Sequence, residues 1–191
     1  ATASLIDLKR TRDISVANIS FEGTGQPDFD GTDDFISITD LLASQSIGSN
    51  TQLTISLWLN QDAYGSKMAF STGQSGADRI YYWTQNSLNT WRVGNYTSTT
   101  GHDTLPSVGE WYNTVLVISG NNVTVYLNGA EDYTGTYTSF TTEHYATFGR
   151  HGATTSYYYN GNIAVAKIYE KALSAAEIKQ NFNAYKNRFN I

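Results

Sequence analysis

Four aspartates, Asp28, Asp30, Asp33 and Asp34, crowd around Gly31. Hard carboxylate oxygens gathered in one turn suit calcium, which takes roughly six to eight oxygen ligands. Asp30, Asp33 and Asp34 are therefore the candidate ligands of a structural Ca2+, the one cofactor the residues suggest. The run lacks the ligand spacing of an EF-hand loop, and Asp/Gly clusters also serve as plain turns. A second chemistry is stacking. Arg79-Ile80-Tyr81-Tyr82-Trp83 alternates so that Tyr81 and Trp83 share one face of a strand, and Trp91 follows on the next segment. Tyr157, Tyr158 and Tyr159 make a second aromatic run near Arg150 and His151. Sugars lay apolar faces on aromatic rings while their hydroxyls pair with Asn, Asp, Arg and Ser. The candidate ligand contacts are Tyr81, Trp83, Trp91, Tyr96, Arg150, Tyr157 and Tyr159, although alternation requires about half of such rings to be core.

Residues for catalysis do not assemble in the same way. Glu131 and Asp132 are adjacent, so in any strand they point to opposite faces. His102, His144 and His151 are scattered, and no Gly-x-Ser-x-Gly elbow is present. A non-enzymatic role is expected.

The elements that must position these residues are strands. Compact or alternating apolar runs predict Ile14–Phe21, Asp34–Ile38, Leu53–Asn60, Lys67–Ser71, Arg79–Thr84, Thr90–Gly94, Tyr112–Ser119, Asn122–Leu127, His144–Phe148 and Asn162–Tyr169. Ser119-Gly120-Asn121-Asn122 and Asn128-Gly129 read as successive tight turns of a meander. The Gly/Ser/Thr/Asn-rich stretches Thr72–Asp78 and Tyr96–His102 read as contact loops. Near the end the period changes. Ser174-Ala175-Ala176-Glu177 is a capping box, and Ile178, Phe182, Tyr185 and Phe189 then share a helical face, predicting a helix over 174–188 packed on the sandwich. Residues 1–13 are expected to form a tether or an edge strand.

With 191 residues, no cysteine, two prolines and no charge run, the chain is expected to be one domain over 1–191 without disulfides. A net charge of -5 provides no basic face for nucleic acid, and no apolar run is long enough for membrane insertion.

Three groups of segments resemble the laminin-G-like, concanavalin A-like jelly-roll family. They are Phe29-Asp30-Gly31-Thr32-Asp33-Asp34-Phe35-Ile36 with Ser56-Leu57-Trp58; Gly109-Glu110-Trp111-Tyr112 with Tyr126-Leu127-Asn128-Gly129; and Phe148-Gly149 with Asn160-Gly161-Asn162-Ile163 leading to Ala172-Leu173-Ser174. The resemblance implies an all-β, two-sheet antiparallel jelly-roll β-sandwich with one short C-terminal α-helix, in which Trp58 and Trp111 fill the gap between sheets. It also implies a calcium habit, but the family's Ile-Asp-Glu-Val segment reads Ile163-Ala164-Val165-Ala166 here, without its acid. The carboxylate strand of the family's glucanases and the Gln-x-His strand of similar lyases are absent from the sequence. The expected function is that of a binding module for carbohydrate or a cell-surface ligand, extracellular or on a virion surface. The alternative is a virion decoration, fibre or knob domain that docks to other virion subunits, with a homo-oligomer as its sign.

Overall fold

The computed structural model describes residues 14–21, 25–39, 46–47, 50–72, 79–85, 89–94, 99–101, 106–138, 140–141, 145–152 and 156–191. Its strands are β1 (Ile14–Ala17), β2 (Ser20–Phe21), β3 (Pro27–Asp30), β4 (Phe35–Thr39), β5 (Ser46–Ile47), β6 (Gln52–Gln61), β7 (Lys67–Thr72) and β8 (Arg79–Thr84). They continue as β9 (Asn89–Gly94), β10 (Thr99–Gly101), β11 (Trp111–Ser119), β12 (Asn122–Leu127), β13 (Ala130–Thr136), β14 (Phe140–Thr141), β15 (Tyr145–Phe148) and β16 (Asn160–Tyr169). One helix, α1 (Ala175–Tyr185), runs into a 3-10 turn over Lys186–Phe189. It is too short and too polar to cross a membrane.

The strands form two antiparallel seven-stranded sheets. Sheet A has the order β1-β4-β15-β7-β8-β9-β10 and sheet B the order β13-β12-β11-β6-β16-β3-β2, with β14-β5 as a separate small pair. This is the expected jelly-roll sandwich. Between the sheets lie Leu53, Ile55, Leu57 and Leu59 of β6, Leu116 and Ile118 of β11, Ile80 and Tyr82 of β8, and Phe70 of β7, all buried. At one margin an apolar cleft of about 360 Å³ opens between Ile14, Ile36 and Ile38 on one side and Ile163, Ala166 and Ile168 on the other.

Two hairpins follow the sequence closely. Ser119 pairs with Asn122 across Gly120-Asn121, and Asn128 and Gly129, both at positive φ, turn β12 into β13. The expected strand Ile14–Phe21 is instead broken at Asn18, whose φ of 57° and the 2.8 Å bond from Ile19 N–H to Ala17 C=O swing the chain over. As a result β1 joins sheet A and β2 joins sheet B. Part of the expected loop Tyr96–His102 is β10, and the other contact loop, from Gly73, lies outside the described residues, as does segment 1–13.

The helix changes the place of the two tryptophans. α1 starts at a complete capping box: the Glu177 amide donates to the Ser174 hydroxyl, and the Ser174 amide donates to the Glu177 carboxylate. Ile178, Phe182 and Phe189 are buried, not on the core between the sheets but on the outer face of sheet B. Trp58 stacks there on Phe182 (5.6 Å, 2° between planes) and Phe189 (4.4 Å), and Trp111 lies 4.6 Å from Phe189. Neither fills the gap between sheets as expected. Register explains this: Trp58 lies opposite Asn113 and between the inward Leu57 and Leu59, so its side chain must point outward. β6 is thus buried on both faces, and alternation there does not mark which one is core.

Candidate functional site

Among the described residues no helix covers sheet A, and its outer face sorts the aromatic candidates. In β8, Tyr82 points toward sheet B while Tyr81 and Trp83 point away. The β8–β9 register sets Trp91 opposite Tyr82 and Arg92 opposite Tyr81. Trp91 is therefore core, not a contact for ligand: it is fully buried, and its indole N–H donates to Thr114 Oγ1 of sheet B at 2.8 Å. Tyr159 is also core. Its ring is buried edge-on to Phe29 (centroids 6.3 Å apart), and burial pushes its phenol pKa far up. The structure does not describe Tyr96.

What the outer face does gather is Tyr81, Trp83 and Tyr157 with Arg92 and His151. Tyr81 is only 1% exposed, so it supports the face and does not present a ring; its hydroxyl accepts from Arg92 Nη1 at 3.4 Å. The guanidinium of Arg92 sits 5.9 Å from the Tyr81 ring centre and 5.8 Å from that of Trp83, within cation–π range. Trp83 is half-buried and packs at 4.8 Å against Tyr157, which is 43% exposed and lies 6.1 Å from His151. Arg150, just after β15, stands aside against β4, its guanidinium 3.6 Å above the Phe35 ring. Met68, Ser71 and Thr147 are buried beneath as the floor.

Tyr157 reaches this face because the segment after β15 doubles back over β7. Gly149 N–H donates to Ala69 C=O at 3.1 Å, His151 N–H to Ser156 C=O at 3.3 Å, and Tyr159 N–H to Gly149 C=O at 2.8 Å. The Met68 amide then donates to the Tyr157 carbonyl at 2.8 Å. Tyr157 has φ 59°, a left-handed conformation that a bulky residue seldom adopts and that costs about 1–3 kcal/mol. The strain holds a large ring outward beside Trp83. Two donors here, Trp83 Nε1 and Arg92 Nε, are buried with no hydrogen-bond partner among the described residues. The face can stack a flat apolar surface and offer a planar guanidinium fork to an oxygen-rich ligand. Among the described residues the apolar cleft at the sandwich margin is lined by Ile, Phe, Pro and Ala, none of which orients a polar ligand.

Arg92 was not among the sequence candidates. The signal was its register with Tyr81, which depends on pairing across the four residues between Thr84 and Asn89.

The aspartate turn forms where β3 leaves sheet B. Side-chain oxygens of Asp30, Asp33 and Asp34 lie within 4.8 Å of one another. Asp30 Oδ1 accepts the amides of Thr32 (2.7 Å) and Asp33 (3.4 Å), and Asp34 Oδ2 accepts the Asp30 amide (2.7 Å). Burial raises the Asp34 pKa, and the charges of Asp30, Asp33 and Asp28 add to the rise. No ion pair neutralises the cluster among the described residues. Hard oxygens this close together fit a calcium ion, which Asp30, Asp33 and Asp34 would hold, with the Lys67 ammonium sharing the turn 3.3 Å from the Cβ position of Gly31.

The family model of the concanavalin A-like lectin/glucanases superfamily matches residues 30–179. A search of curated proteins by sequence finds no match. Among solved structures, Domain 4 of AbnA, a GH43 extracellular arabinanase from Geobacillus stearothermophilus, in complex with arabinotriose, superposes with TM-score 0.68 at 19% identity, covering 88% of this chain and 86% of that one. The botulinum neurotoxin serotype D ligand binding domain in complex with N-acetylneuraminic acid gives TM-score 0.72 at 12% identity over 91% of this chain, which spans 46% of the toxin domain's length. The native heptameric SAP-like pentraxin from Limulus polyphemus gives 0.58 at 17% identity, covering 84% and 79%. A match running from the aspartate turn of β3 into α1, on two sheets of the expected topology, shows that the chain belongs to the concanavalin A-like lectin/glucanases superfamily.

Proposed function

We propose that the chain is a single-domain, non-catalytic binding module that recognises glycan on the outer face of sheet A, with Trp83 and Tyr157 as the stacking platform. The observation that carries the reading is Tyr157: a large ring held outward on a left-handed backbone, packed on Trp83 and flanked by Arg92. Strain of this kind persists where the surrounding structure over-determines it and marks functional positions. The similar AbnA domain, from an extracellular arabinanase, and the toxin domain were solved with arabinotriose and N-acetylneuraminic acid, which supports a saccharide ligand and an extracellular setting.

The test is a glycan array followed by titration calorimetry on wild type, Trp83→Ala and Tyr157→Ala. Losing one stacked ring is worth about 0.5–1.5 kcal/mol, so each variant should bind roughly twofold to tenfold more weakly with an unchanged circular dichroism spectrum. Wild-type affinity in both variants, or a blank array, overturns the reading. A blank array together with a stable assembly in light scattering would favour docking to other subunits instead.

A further inference from the structure

Among the described residues the strands of the two sheets differ in charge. The chain as a whole is acidic, with 17 Asp and Glu against 12 Lys and Arg. Yet no described acidic residue lies on a strand of sheet A. They fall on β3 and the turn after it, at the ends of β6, β11 and β16, on β13 and in α1. The strands of sheet A carry charge of one sign only, at Lys67, Arg79 and Arg92, and Arg150 comes directly after β15. Among the described residues the charged positions on the strands of sheet A are thus all basic, although Lys167, Lys171, Lys179, Lys186 and Arg188 lie on β16 or around α1, and the Lys67 ammonium reaches toward the aspartate turn.

Arg92 is the cation best placed to read a ligand. Its guanidinium rests against Tyr81 and Trp83, with Nη1 donating to the Tyr81 hydroxyl, and it makes no ion pair among the described residues. A guanidinium held by rings and a hydroxyl is oriented, has no counter-charge among the described residues, and its planar fork matches the two oxygens of a carboxylate. A neutral sugar would leave that charge partly desolvated without a counter-charge, whereas an acidic sugar supplies one while its ring stacks on Trp83 and Tyr157.

Resting on the glycan-binding reading above, we infer that the ligand of this face is an acidic glycan whose carboxylate pairs with Arg92. The face is selective for uronate-type saccharides over their neutral counterparts.

The experiment titrates wild type, Arg92→Gln and Arg92→Lys with oligogalacturonides and with the same oligosaccharides methyl-esterified, at about 50 mM and about 500 mM NaCl. Wild type should bind the free acid about ten- to a hundredfold more tightly than the ester, the scale of one charge-assisted hydrogen-bonded pair. That preference should shrink at high salt and vanish in Arg92→Gln. It should be partly kept in Arg92→Lys, which retains charge without the fork. Melting curves establish that the variants are folded, and the salt dependence of wild type tests the inference even if one is not. Equal binding of acid and ester overturns the acidic inference but leaves glycan recognition standing, and a full preference in Arg92→Gln overturns the role of Arg92. If neither saccharide binds wild type, the inference fails, and a glycan array decides whether glycan recognition fails with it.

Discussion

Gly149 is the position where the fold and the candidate face meet, and substituting it separates two physical costs. It has φ 89°, and a Cβ built on it would lie 2.4 Å from the Phe29 ring and 2.9 Å from the Asp34 carbonyl oxygen. Gly109 has nearly the same conformation, φ 79°, with nothing within 4 Å of its Cβ position. Gly109→Ala should therefore cost only the left-handed penalty, about 1–2 kcal/mol. Gly149→Ala adds overpacking against a fully buried ring and a backbone oxygen, a further 1–3 kcal/mol or so, for a total of about 2–5 kcal/mol. In a domain of this size each kcal/mol lowers the melting temperature by about 2–4 °C, so the losses are about 2–8 °C and about 4–20 °C. Urea denaturation with a common slope m is the assay, because it compares the two variants without assuming how Tm maps to free energy. An equal loss in both would refute the claim that Gly149 packs too tightly against Phe29 and the Asp34 carbonyl to accept a side chain.

Calcium should raise the melting temperature and EDTA should reverse the rise, with about 2.7 kcal/mol of stabilisation at a hundredfold excess over Kd. Because the folded-state pKa of Asp34 is raised, the metal-free protein should lose stability as pH rises from the ordinary carboxylate range through that raised value, and bound calcium should flatten the slope. Identical melting curves in calcium and in EDTA would sink the site. At the helix start, Lys171 and then the amide and hydroxyl of Ser174 push the Glu177 pKa down from 4.5 to about 2. A depressed pKa contributes stability that is complete above the ordinary value and lost as pH falls toward about 2, so Glu177→Gln should flatten that part of the acid limb of a pH–stability profile. Ser174→Ala should cost about 1 kcal/mol at neutral pH, and an unchanged melting temperature would argue against the capping box as a source of stability.

Strands with strong apolar runs, such as β6, β11 and β12, were legible in the sequence because burial on a sheet face imposes their pattern. The short pairings β5, β10 and β14 were not, since two or three residues leave no pattern of their own and depend on a partner distant in the chain. β13, Ala-Glu-Asp-Tyr-Thr-Gly-Thr, is a largely exposed edge whose polar composition reads as loop. Period-2 alternation separated Tyr81 and Trp83 from Tyr82 but could not choose the inner side. Trp91 and Tyr159 went inward because of register with Tyr82 and contact with Phe29, while Trp58 went outward because an amphipathic helix waits there to cover it. The helix itself was plain from its capping box and apolar stripe.

The cover that α1 lays on sheet B has a consequence for motion. β6 and β11 are sealed on both sides, by the inner core and by the helix, so their amides should be among the last to exchange with solvent, opening only with the whole domain. Among the described residues sheet A is covered by the core on one side and by no helix on the other. The strained segment at Tyr157 is joined to the edge of β7 by a few backbone bonds, so the amides there should exchange before those of β6 and β11. Slow exchange on β6 and β11 with faster exchange at the Tyr157 segment would thus set the two sides of the same sandwich apart.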